Sequence, residues 1–225
     1  MSTFSSLNRR DLTTVVLEGN IGAGKTAVKK ELKKKHPEFT YIDEPLNDFC
    51  TFKRKDGTKL NPLEIFYSEP SNAIVTQLYF LDIYNTRVKE IERREDIHPI
   101  VICDRWITSC KVFTDALKSC KHISSFAWEY FIQKYDEKVN TLPLAFPTAI
   151  YFVDTPVDLC IERQQKRGRE MEIKFTSMKK YMEELENSFK HMVIELGEKS
   201  VVQTSRGTTI SERVKEVEDL IARLV

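Results

Sequence analysis

A glycine-rich loop near the start of the chain has the residue types and spacing of a phosphate-binding site. It fits the pattern G-x-x-x-x-G-K-[ST], and its residues are Gly19, Asn20, Ile21, Gly22, Ala23, Gly24, Lys25 and Thr26. Glycines let the backbone curl until successive N–H groups face one anion. In such loops the lysine reaches the β- and γ-phosphates of a nucleotide, and the hydroxyl holds Mg²⁺. The loop therefore predicts a site for ATP with Mg²⁺, in which Lys25 is catalytic and Thr26 is a metal ligand.

Two carboxylates directly follow apolar segments that have the composition of strands. Asp104 can join Thr26 around Mg²⁺, and the adjacent Arg105 can contact a phosphate or an acceptor oxygen. Glu44 suits a general base, because a hydroxyl acceptor must lose its proton when it is phosphorylated. The alternatives are a surface ion pair for Asp104 and Arg105, and a solvated turn for Glu44.

A group of cations lies further along the chain, at Arg163, Lys166, Arg167 and Arg169. A positive segment that closes over a triphosphate would stabilise the charge of the transferring phosphoryl group and exclude water. The alternative is the polar end of a surface helix. Because a phosphate loop precedes these residues, we expect a lid over about residues 163–174.

The apolar segments predict an α/β fold that would bring these residues together. Strands are expected at 13–18, 39–43, 99–103, 148–153 and 200–203, and helices at 25–36, 63–67, 72–94, 111–118, 124–139, 156–166, 177–196 and 211–225. Alternation of apolar strands with helices indicates a parallel sheet, about five-stranded, with helices on both faces. In such sheets ligands bind at the carboxyl ends of the strands, where Gly19, Glu44 and Asp104 are expected. Residues 46–61 are polar, with a turn at 55–58.

The composition is that of one soluble domain. The chain has 225 residues with a net charge of +1, so neither a nucleic acid nor a membrane is an expected partner. No secretory signal and no long apolar span occur, and the five cysteines form no CxxC pair. We expect a cytoplasmic protein with reduced thiols. Residues 1–12 are predicted to be a flexible tail and residues 13–225 a single domain.

From about Thr13 to Leu196 the chain resembles the deoxynucleoside kinases, which include deoxycytidine kinase, deoxyguanosine kinase and mitochondrial-type thymidine kinase. Leu17-Glu-Gly-Asn-Ile-Gly-Ala-Gly-Lys-Thr26 is similar to the phosphate loop of that family, including the Glu-Gly-Asn-Ile prefix. The resemblance implies a P-loop kinase fold and a homodimer, for which helices 72–94 and 124–139 offer surfaces. It also implies that Glu44 is the general base, helped by Arg105, and that the lid arginines are catalytic.

The same resemblance implies a nucleoside site. Gln77 would hydrogen-bond the base, and Tyr67 and Glu172 would hold the 3′-hydroxyl of the sugar. Phe49 would pack on the nucleoside, with Phe113 lining the same pocket. From the residues alone, the alternative for Gln77 is a solvated helix position, and residues such as Tyr67, Phe80 and Tyr84 at helical spacing are more often part of the core.

Some positions depart from the family pattern. Trp106 stands in place of a serine beside Arg105. Tyr84 and Cys110 occupy positions where members that take purines or deoxycytidine tend to carry an arginine and an aspartate. With Phe80 they make the pocket bulky and apolar, which favours a pyrimidine, and thymidine most, because its methyl group prefers apolar contacts.

We weigh two other functions. Asp104-Arg105-Trp106 is similar to the Asp-Arg-Tyr of thymidylate kinases, but Glu44 would repel an acceptor that is already an anion. A GTPase switch would need Asn-Lys-x-Asp and Asp-x-x-Gly, and the sequence contains neither. The residues therefore favour transfer of the ATP γ-phosphate to the 5′-hydroxyl of a deoxynucleoside.

Overall fold

The structure is a computed structural model that describes residues 12–68, 72–173 and 178–225. The predicted tail at residues 1–11 and the end of the predicted lid at residue 174 lie outside these ranges. The strands within them are β1 (Thr13–Glu18), β2 (Thr40–Ile42), β3 (Phe52–Lys53), β4 (Lys59–Leu60), β5 (Ile100–Asp104), β6 (Ala149–Phe152) and β7 (Val201–Thr204). Five of them form one parallel sheet in the order β2-β5-β1-β6-β7, which confirms the predicted sheet.

Helices cover both faces of this sheet. They are α1 (Lys25–Lys35), α2 (Leu46–Phe49), α3 (Pro62–Ser68), α4 (Ala73–Arg93), α5 (Thr108–Ser119), α6 (Ser125–Val139), α7 (Val157–Arg167), α8 (Glu170–Ile173), α9 (Met178–Leu196) and α10 (Ile210–Ala222). Local chemistry sets some of these ends. Thr209, for example, begins α10 through a reciprocal capping box with Glu212. None of the helices in the described ranges is long and apolar enough to cross a bilayer.

The central strand β1 divides the core into two layers. Val15 and Leu17 pack into the layer that includes α1, α9 and α10, whereas Val16 packs into the layer with α4 and α6. β1 pairs with β5 so that Leu17 lies opposite Asp104. Both strands consequently end at the same edge of the sheet. The phosphate loop begins there, beside Asp104 and Arg105.

The polar stretch at 46–61 is more ordered than the sequence predicts. The short helix α2 begins directly after Pro45, and strands β3 and β4 pair as an antiparallel hairpin around the expected turn. Gly57 adopts a φ of 87° in that turn, where the Thr58 N–H also binds the Asp56 carboxylate at 2.9 Å. Strands of two residues are too short to show any hydrophobic period, which explains why the pattern missed them.

Candidate active site

The phosphate loop connects β1 to α1 in a conformation that its glycines make possible. Gly19 and Gly22 have φ values of 142° and 83°, a region that other residues rarely adopt. A Cβ on Gly22 would lie 2.5 Å from the Cys160 carbonyl oxygen, and one on Gly19 would lie 2.6 Å from that of Val153. Neighbouring backbone therefore excludes any side chain at these two positions.

Lys25, at the first turn of α1, is folded back against the loop. Its Nζ donates to the carbonyl oxygens of Gly19 at 3.0 Å and Asn20 at 2.9 Å. Burial lowers the pKa of this ammonium group to about 8, and the nearby Arg105 guanidinium acts in the same direction. The lysine thus lies beside the loop as a poorly solvated cation, which an anion would stabilise.

Side chains from distant segments hold the loop from behind. The Ala23 carbonyl accepts hydrogen bonds from Thr155 Oγ1 at 3.0 Å, Arg163 at 3.0 Å and Arg213 at 3.2 Å. Asn20 accepts from the Ile21 N–H at 2.9 Å and donates to the Met182 carbonyl at 2.8 Å. The Asn20 side chain thus fixes the loop against α9, and only its backbone is left for the nucleotide contact predicted at this position.

Thr26 and Asp104, the two predicted metal ligands, are in contact. Thr26 Oγ1 donates to Asp104 Oδ2 at 2.8 Å, and Lys29 Nζ donates to the same oxygen at 3.1 Å. Burial tends to raise the pKa of Asp104, but Lys25 and Lys29 outweigh it and hold the pKa below its usual value. Asp104 Oδ1 is buried and has no hydrogen-bond partner among the described residues. An ionised carboxylate with an unpartnered oxygen beside a hydroxyl fits Mg²⁺, which prefers oxygen ligands.

Arg105 connects the predicted base to a buried acid. Its Nε lies 3.1 Å from Glu44 Oε1 in an ion pair, and its NH1 donates to Glu18 Oε2 at 3.3 Å. The residue has a φ of 66°, a left-handed conformation that costs about 1–3 kcal/mol outside glycine. Ser109 donates to the other oxygen of Glu18, whose pKa is raised by burial. Glu18 has no predicted role, although it belongs to the Glu-Gly-Asn-Ile prefix.

A cavity of about 280 Å³ lies between these groups and α4. It is lined by every residue predicted for the nucleoside site: Glu44, Phe49, Tyr67, Gln77, Phe80, Tyr84, Arg105, Cys110, Phe113 and Glu172. Phe49 packs on Phe80 with ring centroids 4.2 Å apart and on Tyr84 at 5.6 Å. Lys25 and Thr26 line the same cavity, so the predicted phosphate and nucleoside sites are continuous.

Two polar groups of α4, the Gln77 amide and the Tyr84 hydroxyl, line the cavity. Gln77 is 2% exposed, and no hydrogen bond involves its amide in the part of the chain that the structure describes. The Tyr84 hydroxyl is also buried without a hydrogen-bond partner among those residues. Both groups are seven residues apart on one helix and line the same cavity, as a base-reading pair would.

The departure from the family pattern at Trp106 lies outside this cavity. The indole is 1% exposed, packs into the core layer beneath α4, and donates from Nε1 to the Leu144 carbonyl at 2.8 Å. The geometry around Arg105 is set by Glu18, Glu44 and Ser109 instead.

The predicted lid has its arginines near the cavity, but they are paired. Arg167 donates to Glu172 Oε2 at 2.5 Å and Arg169 donates to Oε1 at 3.2 Å. Arg163 binds the phosphate loop. Lys166 differs from the arginines: it pairs with Glu162 at 2.6 Å, its side chain is 74% exposed, and it does not line the cavity.

Comparisons with known proteins agree with this geometry. A family model described as deoxynucleoside kinase matches residues 15–224. A deoxyguanosine kinase from Dictyostelium discoideum is 30% identical over 189 residues, which cover 82% of this chain and 60% of that protein. The chain therefore spans less than two thirds of the length of this relative. NADH dehydrogenase 1 alpha subcomplex subunit 10 of Bos taurus is 26% identical over 92% of this chain and 62% of that protein.

The fold itself is shared with solved structures. The structure of a deoxyadenosine kinase from M. mycoides, with products dCMP and a flexible dCDP bound, superimposes with a TM-score of 0.76 at 16% identity. The superposition covers 94% of this chain and 100% of that one. It confirms the predicted P-loop kinase arrangement of sheet and helices.

Proposed function

The chain belongs to the deoxynucleoside kinase family, and we propose that it transfers the γ-phosphoryl group of ATP to the 5′-hydroxyl of a deoxynucleoside. One observation carries the proposal: a single cavity is lined by the phosphate-loop lysine, by a carboxylate paired with arginine, and by a glutamine amide that has no hydrogen-bond partner among the described residues.

The proposed reaction transfers one proton and one phosphoryl group. Glu44 accepts the proton of the 5′-hydroxyl as the oxygen attacks the γ-phosphorus, and the bond to the β-phosphate oxygen breaks. Arg105 keeps the Glu44 carboxylate in place through the 3.1 Å ion pair. Thr26 and Asp104 would hold Mg²⁺, which neutralises charge on the triphosphate when bound.

The cations have separate parts in this proposal. Lys25 and the loop N–H groups stabilise the charge that develops on the phosphates. Arg163 lines the cavity but donates to the Gly22 and Ala23 carbonyls, so it would contact phosphate only after leaving them. Arg167 and Arg169 are held by Glu172, so they would contact phosphate only after one or both ion pairs with Glu172 open. Nucleoside binding supplies a reason for that opening, because Glu172 is also the proposed partner of the sugar hydroxyl with Tyr67.

We further propose a preference for pyrimidine deoxynucleosides, with thymidine preferred. The support is the lining: Phe80, Tyr84 and Cys110 add bulk to the cavity wall and carry no charge themselves. Burial raises the pKa of Cys110, which keeps its thiol neutral. Gln77 provides one donor and one acceptor for the edge of a base.

A homodimer is part of the proposal as well. It follows from the family resemblance, and exposed apolar side chains on the two helices named for it support the idea. Val75 on α4 is 65% exposed, and Phe126 and Tyr130 on α6 are 78% and 45% exposed. Light scattering after size exclusion would give about twice the chain mass if the proposal holds.

The test is a comparison of acceptors under one set of conditions. ATP and Mg²⁺ are supplied with thymidine, deoxycytidine, deoxyadenosine, deoxyguanosine or thymidine monophosphate. Product from thymidine above that from both purines supports the class and the base preference. Product from purines alone keeps the kinase and removes the preference. Product from the monophosphate alone would overturn the nucleoside assignment, and no product from any acceptor would overturn the proposed kinase activity.

A further inference from the structure

Lys29 is a buried lysine that the proposed reaction does not use. It lies one helical turn after Lys25 on α1, and it is 5% exposed. Its Nζ contacts Asp43 Oδ1 at 2.5 Å and Asp104 Oδ2 at 3.1 Å. One ammonium group thus connects the phosphate-loop helix to the ends of two adjacent strands, β2 and β5.

The two carboxylate oxygens of Asp104 have different hydrogen-bond environments. Oδ2 accepts from both Thr26 and Lys29, whereas Oδ1 is buried and unpartnered among the described residues. A carboxylate fixed in this way presents one defined oxygen to a cation or to the water shell of a cation. Without Lys29, the Thr26 hydroxyl alone would orient it.

The charges of these residues also affect how strongly Asp104 attracts a cation. Asp43, Lys29 and Asp104 together carry two negative charges and one positive charge. The Asp43 side chain is 81% exposed, and from the solvent side its negative charge offsets part of the positive charge of Lys29. Because Lys29 is shared between two acids, it offsets the charge of Asp104 only in part, and these three residues keep a net charge of −1. Lys25 and Arg105 also act on Asp104, so any change in the charge of Lys29 adds to an already cationic surrounding.

We propose that Lys29 and Asp43 are positioning residues that set the orientation and effective charge of Asp104, and thereby the divalent-cation affinity of the nucleotide site. The inference rests on the metal site of the proposed function. Substitutions of the two residues should change the cation affinity in opposite directions. The positive charge of Lys29 repels the cation, and the negative charge of Asp43 reduces that repulsion.

The experiment measures Mn²⁺ binding by electron paramagnetic resonance, with the β,γ-imido analogue of ATP present and no acceptor. Lys29→Met should tighten Mn²⁺ binding by about tenfold, because a nearby positive charge is lost. Asp43→Asn should weaken it by about threefold, less because Asp43 is exposed and screened. Lys30→Met, an exposed lysine on the same helix, is the matched control and should leave it unchanged.

A second readout separates orientation from charge. Lys29→Gln keeps an N–H donor without the charge, so it should tighten Mn²⁺ binding as Lys29→Met does while retaining more turnover. Unchanged Mn²⁺ affinity in both Lys29→Met and Asp43→Asn, or shifts in the same direction, would overturn the proposal. So would a wild-type protein that binds no Mn²⁺ with the analogue. Because no nucleoside is present, an inactive kinase would not disturb this result.

Discussion

The two ends of the active-site cavity are built in different ways. At the phosphate end, a continuous loop from Gly19 to Thr26 supplies the anion site, and its backbone conformation is fixed by glycines and by buried hydrogen bonds. At the nucleoside end, single side chains from α2, α3, α4, α5 and α8 meet. A backbone site is insensitive to which nucleoside is present, whereas a site of separate side chains can change its preference one residue at a time.

The largest effect is expected from Lys25→Ala at the phosphate end. Loss of this buried cation should lower phosphoryl transfer roughly a thousandfold with every nucleoside, because the charge on the phosphates loses its main partner. The measurement is kcat/KM for each acceptor, with Lys30→Ala as the exposed control. An equal loss with every nucleoside would show that the phosphate end acts independently of the acceptor. A loss confined to one nucleoside would contradict that.

The next largest is expected from Glu44→Gln, at the junction of the two ends. The amide keeps the shape but cannot accept the proton, so kcat should fall by about a hundredfold or more. The nucleoside dissociation constant should change less than about twofold, since the side chain acts on the reacting oxygen. Glu38→Gln, on an exposed segment before β2, is the control. Normal turnover in Glu44→Gln would show that another group removes the proton.

A smaller, selective change is expected at the nucleoside end. The double variant Tyr84→Arg with Cys110→Asp would install the ion pair that purine and deoxycytidine members of the family tend to carry. It should lower kcat/KM for thymidine relative to deoxycytidine by about tenfold, because a charged pair replaces apolar lining. Each single variant should destabilise the fold, as it buries an unpaired charge. An unchanged ratio would mean that these positions do not read the base.

The smallest effect expected is a pH dependence of ATP affinity at the phosphate end. The pKa of Lys25 is lowered to about 8 by burial, so the lysine loses its proton as pH rises through that value. Under the proposed function ATP binds the charged form of Lys25, so its affinity should fall about fourfold between pH 7 and pH 8.5. Calorimetric titration of Lys25→Met should show a flatter profile. An equally steep profile in that variant would assign the pH dependence to another group.

In the absence of ligand the same shift affects folding. The folded pKa lies below the unfolded value, so the charged lysine disfavours the folded state at pH below about 8. That penalty is relieved as pH rises from the folded towards the unfolded pKa. The free energy of unfolding of wild type, compared with Lys25→Met, should therefore increase over this window.

Much of the architecture was predictable because it depends on local patterns. β1, the phosphate loop and α1 follow from eleven apolar and glycine positions within residues 13–35. The alternation of strands and helices predicts the parallel sheet. Residues such as Glu18, Lys29 and Arg213 were not assigned roles, since their partners lie far away in the chain. Lys29 and Asp104 are separated by 75 positions, and nothing local marks them as a pair.

The Ala23 carbonyl has a consequence for the timing of nucleotide binding. Three side chains hold this oxygen, and since the peptide unit is planar and trans, the Gly24 N–H must point the opposite way. The anion-binding direction of that amide is therefore fixed before a nucleotide arrives. Little conformational entropy remains to be lost at this peptide on binding, so association there resembles docking to a rigid surface rather than the ordering of a loop.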